Sequence, residues 1–252
     1  MDDKLKSKLK YLGLKYLDGS WKDVCDGAHK KKSSYHRFLS DIIEKEYLLK
    51  KDRARLTRLK AAKLPETFLM ETYPFAKQPK LKKKLVMESY DSLSYMEQCQ
   101  SICFIGRTGV GKTGLATSLL VHAIDNGYRG RYITFSELME TLLQSSADFS
   151  SKNMISKLAS LDCLIIDDFC MGTLSEKLLS QAGLFFALMD KRHNKTCTII
   201  STQLGFDDWG KYFKDSHLTA ALIDRLTVNC IVFDMQKCKS IREKNIQFGT
   251  DK

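Results

Sequence analysis

The stretch Ile102-Cys103-Phe104-Ile105-Gly106-Arg107-Thr108-Gly109-Val110-Gly111-Lys112-Thr113-Gly114 decides the fold, because an apolar run breaks into GxxxxGKT and then into a helical pattern. It reads as strand, phosphate loop and helix. The glycines let the backbone turn with its N–H groups inward, and the start of the helix adds the positive end of its dipole to the same concavity. Residues 106–114 are therefore expected to wrap the phosphates of a nucleotide. Lys112 can reach the β- and γ-phosphates, and the Thr113 hydroxyl is placed to ligate the Mg²⁺ that accompanies a nucleoside triphosphate.

A second apolar run, Leu161-Asp162-Cys163-Leu164-Ile165-Ile166-Asp167-Asp168, ends in two carboxylates, where a phosphate-loop enzyme places its second metal-binding element. Asp167 is expected to hold Mg²⁺ through its water shell. Asp168 stands where such ATPases often carry a Glu that orients the attacking water, with a shorter reach. An acidic pair that merely caps a loop after a strand is the structural alternative. Guanine specificity normally leaves NKxD, and Asn194-Lys195-Thr196-Cys197 lacks the Asp. Adenine is the default base, so ATP and Mg²⁺ are the expected ligands.

Three further polar residues stand out. Gln203 closes Thr198-Ile199-Ile200-Ser201-Thr202-Gln203 and can sense the γ-phosphate, position water, or simply make a strand-end hydrogen bond. Arg225, on a helix that presents it outward, can complete a neighbour's site in trans or pair with the surroundings of Asp224. Arg242 is a candidate contact to the nucleotide within its own chain.

After the phosphate loop, strands are expected over 132–135, 161–167, 196–201 and 230–233, with helices between them and a polar loop before the second of these. This alternation predicts an α/β fold with a mostly parallel sheet covered on both faces. Upstream, residues 1–65 show helical spacing: Leu5, Leu9 and Leu12 first, then Phe38, Ile42, Leu49, Leu56 and Leu59 in a longer segment opening near Ser33 and stopped at Leu64-Pro65. The organisation reads as a small all-helical basic domain over 1–65, a connector over 66–100, and a nucleotide domain over 101–252. Phe68, Tyr73 and Phe75 in the connector can pack on a bound base or on the domain itself.

The net charge of +11 is lopsided: residues 1–100 carry 23 Lys+Arg against 14 Asp+Glu, and residues 101–252 carry 18 against 16. A polyanion handled by the front of the chain fits this bias, and so does a solvated basic helix. The eight cysteines form no CxxC pair and the five histidines are scattered, which argues for thiols in a reducing compartment and against structural zinc. With no signal segment and no apolar run long enough for a bilayer, a cytoplasmic protein is expected.

Taken together, these stretches resemble the IstB-like transposition helpers of bacterial insertion sequences, within the AAA+ ATPases that include the helicase loader DnaC. The resemblance rests on Leu12-Gly13-Leu14-Lys15, Arg58-Leu59-Lys60-Ala61-Ala62-Lys63-Leu64-Pro65, Ala76-Lys77-Gln78-Pro79, the phosphate loop, Asn126-Gly127-Tyr128, residues 164–169, 198–204 and 222–226, and Ser240-Ile241-Arg242. It implies an AAA+ P-loop NTPase core and an ATPase that self-assembles on double-stranded DNA and works with the transposase of the same element. It also implies roles: Gln203 as sensor 1, Arg225 as arginine finger and Arg242 as sensor 2. Cys170, Gly205 and Asp168 depart from the commoner Gly, Pro and Glu of that pattern. A helicase loader and a nucleotide-gated DNA scaffold with negligible turnover are the competing expectations.

Overall fold

The computed structural model describes residues 2–66, 68–173, 175–213 and 215–242. It divides into two compact units, residues 1–58 and 59–252. The last ten residues of the expected nucleotide domain, 243–252, lie outside the described residues.

In the first unit, α1 (Asp3–Leu12) ends at Gly13, whose left-handed backbone reverses the chain into α2 (Lys15–Lys31). Next comes α3 (Tyr35–Ala62), within which the division between units falls. The spacing of apolar residues does not announce α2, because Gly19, Gly27 and a kink at Ser20 interrupt it. The helix is held from outside: buried Glu46 of α3 accepts the Leu17 N–H at 2.9 Å, satisfying a first-turn donor that has no partner within its own helix.

The second unit begins with the end of α3, short 3-10 turns at Met70–Thr72 and Phe75–Lys77, α4 (Lys83–Ser92) and α5 (Ser94–Glu97). The nucleotide fold follows in order: β1 (Ser101–Ile105), α6 (Lys112–Asp125), β2 (Gly130–Thr134), α7 (Phe135–Ala147), α8 (Ser151–Ala159) and β3 (Cys163–Phe169). It continues through α9 (Glu176–Leu179), α10 (Ala182–Arg192), β4 (Cys197–Thr202), α11 (Phe206–Phe213), α12 (Ser216–Thr227) and β5 (Cys230–Asp234). The sheet order is β2-β3-β4-β1-β5, and each neighbouring pair is parallel. Two helices within the nucleotide fold exceed the expectation, α8 in the expected polar loop and α11 directly after β4, and α4 and α5 form within the expected connector.

Period-2 alternation gives the inner strands β1, β3 and β4 two buried faces, whereas the edge strands β2 and β5 are partly open. Ile102, Phe104, Ile165 and Ile199 point to a core shared with α6 and with residues Ala62, Met70, Val86 and Tyr95. Cys103, Ile105, Leu164, Ile166 and Ile200 point to the other core, with α7, α8 and α10–α12. Residues upstream of β1 thus cover one face of the sheet. On the second side, Arg192 is 1% exposed yet satisfied, since its guanidinium bonds Thr198 Oγ1 at 3.0 Å and the carbonyls of Leu158, Leu161 and Cys197.

Because β4 lies between β1 and β3, the polar end of β4 stands between the phosphate loop and the two carboxylates. There the β3–β4 register changes: Ile166 pairs with Ile200, but Phe169 pairs with Thr202. The extra residue on β3 is a bulge, and Asp168 takes a left-handed φ of 51° within it. Phe169 thereby turns into the second core, and Asp168 is freed from the alternation.

Candidate nucleotide site

The phosphate loop is tied down by its carbonyls. Lys112 Nζ donates to Gly106 O at 2.8 Å and Arg107 O at 3.1 Å, Ile241 N–H to Gly109 O at 2.8 Å, and the Tyr73 hydroxyl to Val110 O at 2.8 Å. Gly109 and Gly111 have φ of 84° and 93°, and a Cβ on Gly111 would stand 2.5 Å from the Tyr73 ring, so the turn and the close approach both require glycine there.

A cavity of about 500 Å³ opens over this loop. Thr108, Gly109, Gly111, Lys112, Thr113 and Gly114 line its floor, and Asp168, Gln203 and Arg242 line its polar side. Phe68, Leu69 and Ile241 form an apolar wall, with the Phe68 backbone held by the Ser118 hydroxyl at 3.0 Å. Gly106 is buried, and exposed Arg107 and buried Val110 line a neighbouring cleft with residues 236–240. The volume and the mixture of apolar wall and convergent charge suit a nucleotide.

Asp167 is 2% exposed beneath the loop. Its Oδ2 accepts from Thr113 Oγ1 and from the Tyr132 hydroxyl, each at 2.8 Å, and its Oδ1 accepts from Ser201 Oγ. Ser201 Oγ in turn accepts the Asp168 N–H at 3.2 Å. Tyr132 was not apparent from the sequence, and only the polar end of β4 hinted at Ser201. Among the described residues no cluster of three or more His, Cys, Asp or Glu could hold a metal. Two hard oxygens, from Thr113 and Asp167, suit Mg²⁺ that takes its other ligands from phosphate and water.

Charge in the cavity is balanced against shelter. Burial lowers the Lys112 pKa, against the pull of Asp168 and Asp167 and with the help of Arg242. Burial raises the Asp168 pKa and Asp167 raises it further, while Lys112 and Arg242 oppose. Gln203 Nε2 contacts Met171 Sδ at 3.2 Å at the rim. Arg225 stands apart from this cavity: it bonds Asp190 Oδ1 at 3.0 Å and Asp224 Oδ2 at 2.8 Å with its side chain one-third exposed.

A parallel sheet of this order, with a phosphate loop after β1 and paired carboxylates at the end of β3, defines an α/β fold of the AAA+ P-loop type, preceded in the sequence by helices. The AMPPCP-bound DnaA from Aquifex aeolicus shares this fold with a TM-score of 0.54 at 17% identity, over 69% of this chain and 51% of that one. DnaI shares it with a TM-score of 0.51 at 14% identity, over 60% of this chain and 81% of that one. Within that class, the chain belongs to the family of IstB-like ATP binding proteins, whose model matches residues 7–247. It is 31% identical over 218 residues to the protein named as ATP-binding protein of insertion sequence IS21 in Pseudomonas aeruginosa, covering 86% of this chain and 81% of that one. Its identity to the insertion sequence IS5376 counterpart of Geobacillus stearothermophilus is 30% over 237 residues, 94% and 93% of the two chains.

Proposed function

We propose that this protein hydrolyses ATP with Mg²⁺ while assembled on double-stranded DNA, and that it assists the transposase of an insertion sequence. The observation that carries the reading is the convergence of Lys112, Asp168, Gln203 and Arg242 on one cavity over the phosphate loop, in a chain of the IstB-like family. The relatives' insertion-sequence names support the transposition context, and the basic excess of residues 1–100 supports DNA contact by the N-terminal region.

In this reading Lys112 and the amides of residues 106–114 bind the phosphates, Thr113 and Asp167 hold the metal, and Arg242 and Gln203 meet the terminal phosphate. Bound Mg²⁺ would supply neutralisation of charge developing on the phosphate oxygens. Asp168 accepts a proton from the attacking water, a role that its raised pKa favours. Arg225, outside its own cavity, serves a neighbouring copy. Phosphate release measured with and without duplex DNA, and with the partner transposase, tests the proposal. DNA-stimulated turnover is expected, whereas nucleotide-dependent DNA binding without phosphate release would define a scaffold.

A further inference from the structure

After β5 the chain turns back across the phosphate loop as a strap, residues 235–242. It is anchored by Met235 N–H to Ile105 O at 2.6 Å and by Ile241 N–H to Gly109 O at 2.8 Å. Between these anchors a third one comes from far away in the sequence. Gln78, 1% exposed, uses its whole carboxamide on Lys239: Nε2 donates to Lys239 O at 2.5 Å and Oε1 accepts Lys239 N–H at 3.0 Å. A carboxamide offers a donor and an acceptor side by side, matching the C=O and N–H of one residue, which a carboxylate cannot do. Gln78 is itself held, because its own N–H bonds Phe75 O at 2.9 Å and Pro79 follows it.

Arg242 lies three residues beyond Lys239, and its Cδ runs 3.6 Å from where a Cβ on Gly109 would sit. Pinning Lys239 and Ile241 together fixes where the Arg242 backbone leaves the strap and which way its guanidinium enters the cavity.

We propose that Gln78 is a positioning residue for Arg242: its paired hydrogen bonds to Lys239 hold the strap so that the guanidinium meets the terminal phosphate of a nucleoside triphosphate, setting the preference for triphosphate over diphosphate. The inference rests on the reading of Arg242 as a phosphate contact. It explains a buried glutamine that does not line the nucleotide cavity, spending both ends of its carboxamide on a residue 161 positions away.

The test uses the full-length chain and four variants, Gln78→Ala, Gln78→Glu, Arg242→Ala and the double Gln78→Ala/Arg242→Ala, with ATP and ADP affinities measured calorimetrically. Arg242→Ala should cut the ATP-to-ADP affinity ratio by about tenfold or more, the worth of a hydrogen bond to charge. Gln78→Ala should reproduce most of that loss. Gln78→Glu keeps size and acceptor but sets an oxygen against the Lys239 carbonyl, and should do the same. The double variant should be no worse than Arg242→Ala, as expected of residues acting in series. Independently, alkylation of Cys238, which is 8% exposed on the strap, should quicken in both Gln78 variants when followed by mass spectrometry. If Arg242→Ala lowers the ratio but both Gln78 variants keep it, or weaken ATP and ADP equally, the positioning role is overturned and the Arg242 reading stands. If Arg242→Ala leaves the ratio unchanged, the Arg242 reading fails and the inference falls with it.

Discussion

Thr113 Oγ1 donates to Asp167 Oδ2 at 2.8 Å, joining the first turn of α6 to the end of β3. With Tyr132 on the same oxygen and Ser201 on the other, three hydroxyls from α6, β2 and β4 aim one carboxylate. Partners of this kind typically change metal affinity by about 10–100-fold when removed. Tyr132→Phe should therefore leave the protein folded, at a cost of roughly 1 kcal/mol, and raise the Mg²⁺ concentration needed for half-maximal ATP turnover. A Mg²⁺ titration of the variant checks this, and an unchanged requirement would remove Tyr132 from the site.

Lys112 has its Nζ on two loop carbonyls and faces the cavity rather than the core. Lys112→Ala should weaken ATP binding by about tenfold or more, the value of a charge-assisted contact to phosphate. Its melting temperature should move little. Wild-type ATP affinity in the folded variant would sink the assignment.

Asp168 makes a pH prediction. Its folded pKa lies above the ordinary carboxylate value, from burial first and Asp167 second, so the acid limb of the ATPase profile should sit at higher pH than an ordinary Asp would give. For stability the sign is the reverse of a paired carboxylate. The native state holds this proton more tightly than the unfolded chain, so the contribution is full below the unfolded pKa and is lost as pH rises through the folded one. Asp168→Asn should keep ATP bound, slow hydrolysis by about 10²–10⁴-fold, and flatten the decline of melting temperature in that window. Single-turnover rates and thermal melts across pH measure both, and full turnover in Asp168→Asn would move the base elsewhere.

Arg225 is held by Asp190 and Asp224 on its own chain. If its task lies in a neighbour's site, Asp190→Asn should preserve activity, while Arg225→Ala removes most turnover on DNA, by about 10³-fold in related chemistry. Binding of ATP by isolated subunits should stay intact. Mixing Arg225→Ala with Lys112→Ala subunits should restore some activity. Absence of rescue in proven mixed assemblies would make Arg225 structural.

On α3, Arg53, Arg55 and Arg58 are half-buried, whereas Lys50 and Lys51 are exposed. Neutralising both lysines should lower affinity alike for all duplex sequences and reduce the salt slope by up to about two units. Equal slopes for variant and parent would return this segment to a solvated surface.

How much of this could be read in advance depended on sequence distance. The phosphate loop, α6 and the carboxylate pair at the end of β3 are contiguous patterns in which each residue's role is set by near neighbours, and the structure has them as strand, loop and helix. The short helices α8 and α11 were not legible. Met154, Ile155 and Leu158 of α8, and Trp209 and Phe213 of α11, pack into or against the second core, and it is this packing rather than a long periodic run that holds them.

The sequence by itself determined the αβ alternation, the nucleotide loop and its lysine, and the acidic strand end, because turn chemistry and side-chain period act over a few residues. Tertiary structure alone decided that Asp168 leaves the strand's alternation, since the bulge exists only in the pairing of Ile166 and Phe169 with β4. It alone brought Tyr132 to Asp167, Asp190 to Arg225, and Gln78 to Lys239 across 161 residues. A hydrogen bond's partner is chosen by whichever groups burial leaves unpaired at the same place, and that place is set by how the sheet and the chain crossing it pack, not by any spacing along the chain.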